Sequence, residues 1–456
     1  MTVQSAWTAQ QSHIWPLTAA RATDGMLTVG GCRADDLVAQ FGSPLFVVDK
    51  ADVLSQVRRY LDAYVNVADE LAGDVFYAGK AFLSVGVARW LLEAGLNIDV
   101  CSEGELAIAL AAGATGSQVL MHGNNKSEHE LQLAVANRLR FVVVDSVIEI
   151  SRLARAATAA GVTMNVLVRT TVGVEAHTHE FIMTAHEDQK FGFSVASGAA
   201  LAAVKAVIAE PALHFAGLHS HIGSQIFDAD GFVIAATRLS ELAADIMREC
   251  EIAIENLNIG GGSGIAYVDS DDPQDIAEFG STIRALVRES FTAAGLPLPH
   301  VLVEPGRSII GRAGVTLYTV GTIKPVHIDE DRTRVYVSVD GGMSDNVRTA
   351  LYDADYTTVV ASRVVSADSS TTLARVVGKH CESGDIVVRD AMLPADISPG
   401  ELLAVAATGA YCHSLASNYN HIVRPAVVAV SDGSPELLIR RETIGDILSR
   451  DAQAGE

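Results

Sequence analysis

The chain has 456 residues, 49% of them apolar, with 33 basic against 55 acidic side chains and a formal net charge of −22. That length exceeds one ordinary core and fits two or three domains, or a large barrel with an appendage; the composition is globular rather than disordered. So acidic a balance excludes nucleic acid and anionic membrane surfaces as general partners, but leaves room for one local basic pocket.

Five scattered cysteines, Cys32, Cys101, Cys250, Cys381 and Cys412, form no CxxC pair and no disulfide framework, which points to a reducing cytoplasm. The stretch from Met1 to Pro16 lacks the basic-then-apolar pattern of a secretory signal. No apolar run approaches the ~18 residues of a membrane span.

In chain order, the strand-like Pro44–Val48 comes first and is expected to join a later β domain. From about Lys50 to Arg312, short β-rich runs alternate with Ala- and Leu-rich segments of helical spacing such as Ser84–Ala94 and Glu103–Ala112. The expected strands are Val75–Ala78, Asn97–Val100, Val119–His122, Phe141–Asp145, Asn165–Arg169, Phe215–Ile222, Asn256–Gly260 and Val301–Glu304. Eight strands with intervening helices predict an α/β fold, a parallel (β/α)8 barrel; a doubly wound open sheet is the alternative. After Gly314 the runs Val315–Lys324, Arg334–Val339, Leu373–Lys379, Glu401–Ala407 and Arg424–Val430 read as strands between turns, with a helix at Arg441–Leu448. The expected division is a barrel over 49–312 and an antiparallel β domain from 14–48 and 313–456.

The polar residues gather at one end of the expected strands. Lys80 follows the first, Asp99 and Ser102 end or follow the second, and His122, Asp145 and Arg169 end the third, fourth and fifth. His221 lies near the end of the sixth, Gly260–Gly262 follow the seventh, and Glu304 ends the eighth. In a barrel these positions converge on the C-terminal mouth, where barrel enzymes carry their chemistry. His219 and His221 would share a face, but no acidic or cysteine ligands accompany them, so no metal is expected. His219 reads as a hydrogen-bonded core histidine.

The run Tyr77-Ala78-Gly79-Lys80-Ala81 resembles the cofactor-lysine motif of the alanine-racemase-like (fold type III) decarboxylases, which use pyridoxal 5'-phosphate (PLP). The runs His219-Ser220-His221-Ile222-Gly223-Ser224-Gln225, Gly260-Gly261-Gly262, Glu304-Pro305-Gly306-Arg307, Cys381-Glu382-Ser383-Gly384-Asp385 and Gly409-Ala410-Tyr411 match the same family in the same order. Within it the chain is similar to the diaminopimelate decarboxylases from roughly Trp15 to Leu448.

That resemblance implies a set of roles. A lysine after a strand is ordinarily a surface residue, but in this motif Lys80 is the amine that condenses with the PLP aldehyde. Glu304 faces the pyridine nitrogen, where a negative charge favours the protonated, electron-withdrawing ring. His221 stacks on that ring. Gly261, Gly262, Ser224, Gly306, Arg307 and Tyr411 make phosphate or other cofactor contacts. Asp99 and Arg169 hold cofactor and histidine in place, the alternative for each being a structural ion pair. Cys381, otherwise a small buried hydrophobe, returns a proton to the reacting carbon. Glu382 receives the distal ammonium of the substrate. Arg307, Arg348 and Tyr352, with Tyr411, bind the substrate; its second carboxylate calls for the paired hydrogen bonds that arginine offers.

The implied reaction is decarboxylation of meso-2,6-diaminopimelate to L-lysine, in a cytoplasmic homodimer whose active sites are shared between subunits. The alternatives are a related decarboxylase for ornithine, arginine or carboxynorspermidine, and a non-catalytic PLP-binding regulator, which would be expected to lack Lys80 or Cys381. Two departures from the family pattern stand out: Gly79, where a bulkier residue is common, and Thr170-Thr171-Val172 before Gly173-Val174-Glu175-Ala176-His177, where a lysine-proline pair is frequent.

Overall fold

The computed structural model describes residues 13–68, 71, 73–173, 190–329, 333–366 and 368–454. They form two compact units, one comprising Gln56–Gly264 and Pro273–Gly306, the other the chain up to Ser55, Ile265–Asp272 and the chain from Arg307 onward.

The first unit is a closed parallel barrel. Its eight strands are Gly73–Ala78, Asn97–Val100, Val119–Met121, Phe141–Val144, Met164–Thr171, Leu213–Ser220, Asn256–Asn258 and His300–Val303. Each pairs in parallel with the next, and His300–Val303 returns to pair with Gly73–Ala78, which closes the ring. The strands read as near-continuous apolar runs because both faces are covered: Phe141–Val144 and Asn97–Val100 are buried at every position. A cluster of Phe76, Leu120, Phe141, Val143, Leu167, Ala216 and Leu302 packs within the unit.

The helices start where the sequence supplies a cap. Ser84, Ser102, Ser127 and Ser146 each accept a hydrogen bond from a backbone N–H in the first turn of the helix that follows, and Ser127 forms a reciprocal capping box with Glu130. These helices, Val85–Glu93, Glu103–Ala111, Glu128–Ala136 and Val147–Ala160, therefore begin two to six residues past the polar strand-end residues Lys80, Asp99, His122 and Asp145. Ala199–Ile208, Asp230–Cys250 and Ile276–Ala293 complete the series before the eighth strand.

Lys126, 3% exposed, fastens the loop after the third strand. Its Nζ donates to the carbonyls of Gly123 at 2.8 Å and Val143 at 2.6 Å and to Glu149 Oε1 at 2.6 Å. One ammonium thus ties the third-strand loop, the fourth strand and the helix Val147–Ala160 together.

The second unit is built on a mostly antiparallel sheet. Its long strand Gly314–His327 pairs antiparallel with Leu45–Asp49 and Leu402–Val405 through its first half and with Thr333–Val339 through its second. The early strand Leu45–Asp49 also takes Ala426–Ser431 in parallel on its other side, and Thr371–Val377 runs parallel to Thr333–Val339. The strands Thr358–Val360, Ile386–Pro394 and Ser434–Ile439 were not expected from the sequence. The first is only three residues long, and the other two carry polar or charged residues that blur the alternation, such as Arg389, Asp390 and Glu436. The final helix is shorter than expected, Ile444–Leu448, because Thr443 caps it with Asp446. Among the described residues no helix is long and apolar enough to cross a membrane.

Removing one partner of a buried ion pair leaves the other charge stranded. Lys126→Ala is expected to lower unfolding free energy by about 3–5 kcal/mol, whereas the paired change Lys126→Met with Glu149→Leu recovers most of that. Urea denaturation of the three proteins compares them directly.

Candidate active site

The C-terminal ends of the barrel strands bring several of the expected site residues together. Lys80 sits in the turn Gly79–Ala81 directly after the first strand, with its side chain exposed. Tyr77 Oη donates to Phe82 O at 2.6 Å, and Ala78 N donates to Pro305 O at 3.1 Å, so the lysine turn is tied on both sides. Gly79 is buried, and a Cβ there would lie 3.1 Å from Asp99 O and 3.2 Å from Leu83 Cδ2. A bulkier residue at this position would need these neighbours to give by a few tenths of an ångström.

Glu304, buried just past the eighth strand, is the centre of the charge network. Asn258 Nδ2 donates to its Oε1 at 2.7 Å, and His219 Nε2 stands 3.2 Å from its Oε2. Burial alone would raise this carboxyl's pKa, but the charge and hydrogen bond of His219 outweigh it and hold the group well below the usual carboxylate range. Asp99, 1% exposed, goes the other way. Burial, and then the charge of Glu304, push its pKa well up. Among the described residues none donates a hydrogen bond to either oxygen of Asp99, while His122 Nε2 stands 3.4 Å from its Oδ2. Two nearby carboxyls thus divide into an ionised one and one that protonates readily.

His221 lies one residue beyond the sixth strand rather than within it, so it does not share strand geometry with His219. Its Nδ1 accepts from Gly261 N at 3.3 Å. Burial, and then the positive charges of Lys80 and Arg169, push the imidazole down to about 3, so the ring is neutral and planar at physiological pH. Arg169, buried at the end of the fifth strand, has its Nε 3.8 Å from Asp145 Oδ2 and its guanidinium 4.3 Å above the Phe191 ring.

The glycine run after the seventh strand is pressed against backbone. A Cβ on Gly261 would fall 2.2 Å from Glu304 O, and one on Gly262, whose φ is +118°, 2.7 Å from Gly223 O. Only glycine fits both positions. Ile226 N donates to Gly262 O and Gly264 N to Ile226 O, both at 2.9 Å, which straps this loop to the one carrying Ser224. Gly306 is similarly confined, its Cβ position 3.0 Å from Ala78 and Ala81.

Other expected site residues lie in the β-rich unit. Arg307, Arg348 and Tyr411 come together there: the Arg307 guanidinium lies 4.8 Å over the Tyr411 ring, and both arginines approach Tyr267. Cys381 and Glu382 are exposed on a tight turn. Asp385, buried, accepts from His380 N at 2.7 Å, from Met343 N at 2.6 Å and pairs with His380 Nδ1 at 2.9 Å; Cys381 N donates to Asn420 Oδ1 at 2.9 Å. Tyr352 is 62% exposed. The Thr170-Thr171-Val172 departure is anchored by Thr170 Oγ1 to His219 O at 3.0 Å, Thr171 Oγ1 to Phe191 O at 2.7 Å, and Arg238 to Val172 O; residues 174–177 lie outside the described residues.

The sequence did not single out Asn258, Tyr267 or Tyr356, and it treated His219 only as core. Asn258 carries a usable signal: an asparagine two residues before a glycine run, at a strand end, is a polar group on a buried strand and needs a partner.

Residues 51–311 match the family described as pyridoxal-dependent decarboxylase, pyridoxal binding domain. A closed parallel barrel with a lysine, a neutral histidine, a glycine loop and an ionised glutamate at its strand ends belongs to that PLP-dependent class. The chain is 52% identical over 441 residues to the diaminopimelate decarboxylase of Mycobacterium tuberculosis, covering 96% of this chain and 97% of that one. It is 42% identical over 434 residues to the enzyme of that name from Bacillus subtilis, at 95% and 97% coverage. The crystal structure of diaminopimelate decarboxylase from M. jannaschii in co-complex with L-lysine superimposes with a TM-score of 0.87 at 30% identity, covering 95% of this chain and 97% of that one. The chain belongs to the diaminopimelate decarboxylase family, whose cofactor is PLP.

The His221 environment has a direct spectroscopic consequence. The Hε1 resonance of His221, assigned by comparison with His221→Gln, is expected to stay flat between pH 5 and pH 9 in two-dimensional spectra. A titration step near the ordinary histidine value of about 6.5 would contradict the neutral, enclosed ring.

Proposed function

We propose that this chain removes CO2 from meso-2,6-diaminopimelate to leave L-lysine, with PLP held at the C-terminal ends of the barrel strands. The observation that carries the reading is Glu304, a buried carboxylate kept ionised by Asn258 and His219. A fixed negative charge there matches a pyridinium nitrogen, and PLP, when bound, supplies the electron sink for the breaking carbon–carbon bond. The residues present fit the cofactor. Lys80 offers an amine on an exposed turn, His221 a neutral flat ring, and Gly261 and Gly262 a loop that brings backbone close without side chains. Ser224, Gly306, Arg307 and Tyr411 are further cofactor contacts in this reading, with Asp99 and Arg169 setting the charge around it.

Substrate choice rests on the β-rich unit. Arg307 and Arg348, with Tyr352 and Tyr411, take the far carboxylate, which ornithine and arginine lack, and Glu382 takes the far ammonium. Binding at that end orients the scissile carboxylate. Cys381 then delivers a proton to the carbon that CO2 leaves. The exposure of Cys381, Glu382 and Tyr352 supports a homodimer in which the turn Cys381–Asp385 serves the partner's site. The acidic exterior and unpaired cysteines suit the cytoplasm.

Purified chain with PLP and meso-diaminopimelate is expected to release CO2 and lysine, with ornithine and arginine left unchanged. Release from ornithine at a comparable rate would reject the substrate assignment. Borohydride reduction followed by peptide mapping should place the pyridoxyl group on Lys80, and Lys80→Ala should lose both the label and turnover. Cys381→Ala is expected to lower kcat about 10²–10⁴-fold. If the sites are shared, mixing and refolding Lys80→Ala with Cys381→Ala restores about a quarter of wild-type activity, since half the dimers then carry one intact site.

A further inference from the structure

We infer that Tyr267 is a positioning residue that sets substrate specificity, holding Arg307 and Arg348 as one pre-formed pair for the far carboxylate; this rests on the proposed role of those arginines. Two guanidinium groups addressed to the same small region repel each other, and in a partly buried site that repulsion would drive them apart. Tyr267 gives both a reason to stay. Arg307 Nη1 donates to its hydroxyl at 2.5 Å, and the Arg348 guanidinium lies 4.8 Å from its ring centroid. The negative face of the ring attracts one cation while the hydroxyl oxygen accepts from the other.

The tyrosine is itself rigidly held. Tyr267 is buried, its backbone N–H donates to Asp271 Oδ2 at 2.8 Å, and its carbonyl accepts from Thr357 Oγ1 at 2.9 Å. Tyr356 packs edge-on to it, with centroids 5.3 Å apart and planes at 83°, and accepts from Arg348 Nη1 at 2.5 Å. Tyr356 Oη in turn lies 3.5 Å from the buried Cys412 Sγ. Arg348 is therefore gripped by an aromatic ring on one side and a phenol oxygen on another, and is buried rather than waving in solvent. Such a pair meets its ligand without first having to be ordered, and that difference appears in substrate affinity rather than in the chemical step.

The test uses the PLP-loaded enzyme. Tyr267→Phe keeps the ring over Arg348 but removes the acceptor for Arg307; Tyr267→Leu removes both. KM for meso-diaminopimelate is expected to rise about tenfold in the first and about tenfold further in the second, with kcat changed less than about threefold. Inhibition by L-lysine, which keeps the far carboxylate and has lost only the scissile one, should weaken alongside, whereas inhibition by 1,5-diaminopentane, which has no carboxylate, should stay at the wild-type level in both. Tyr356→Phe, which frees Arg348 from its other hold, should raise KM in the same way. It also answers the question if Tyr267→Leu does not fold. Unchanged KM in Tyr267→Phe and Tyr356→Phe overturns the proposal, and so does a fall in kcat or a parallel loss of 1,5-diaminopentane inhibition, which would mark the tyrosines as merely structural. Arg348→Lys separates the two levels of argument. If it also leaves KM unchanged, the far-carboxylate reading falls and the positioning role with it; if it raises KM while the tyrosine variants do not, the positioning role alone is wrong.

Discussion

The barrel site depends on one buried negative charge. Glu304 is enclosed at the end of the eighth strand, where an unpaired carboxylate would protonate rather than stay charged. Asn258 and His219, from the seventh and sixth strands, reverse that outcome. Neighbouring groups respond differently: burial and then this charge push Asp99 toward its protonated form, whereas His221 stays neutral in spite of it, through burial and the positive charges of Lys80 and Arg169. A site with one committed anion, one neutral imidazole and one amine is a suitable host for a cofactor whose ring nitrogen must carry a proton while its aldehyde must meet a base.

Closure of the barrel makes this arrangement possible. The eighth strand pairs with both the seventh and the first, so Glu304, Gly261 and the lysine turn are adjacent through backbone alone. Glycine occupies the crowded positions because carbonyl oxygens already fill the space a side chain would need. In the β-rich unit the corresponding problem is the reverse: two cations must be held together rather than one anion kept charged. Aromatic rings supply the attraction there, since a ring face favours a guanidinium without itself ionising.

Much of the fold could be read before any coordinates. The eight barrel strands appear where apolar runs of four to eight residues alternate with helical spacing, because strands covered on both faces leave a strong pattern. Serines before the helices mark their starts locally. The β-rich unit was less legible. Its strand Ile386–Pro394 carries Arg389 and Asp390 in mid-run, and the parallel pairing of Leu45–Asp49 with Ala426–Ser431 joins segments separated by most of the chain. The candidate site residues Lys80, Glu304, Cys381 and Arg348 were picked out through family motifs. Asn258, Tyr267 and Tyr356 were not: the first two act on residues 40 or more positions away, and none of the three has a distinctive neighbourhood of its own.

By itself, the sequence determined which segments become the barrel's strands and helices, which ends of those strands carry polar groups, and which decarboxylase family the motifs resemble. These follow from local periodicity, capping and short runs of adjacent residues. Only the tertiary structure decided which carboxyl is ionised, how tightly Gly79 is enclosed, and that Arg307 and Arg348 meet at one tyrosine. Those outcomes turn on distances of 2.5–5 Å between groups far apart along the chain. In an enclosed, weakly polarisable interior such distances govern charge and contact, and no local pattern of residues encodes them.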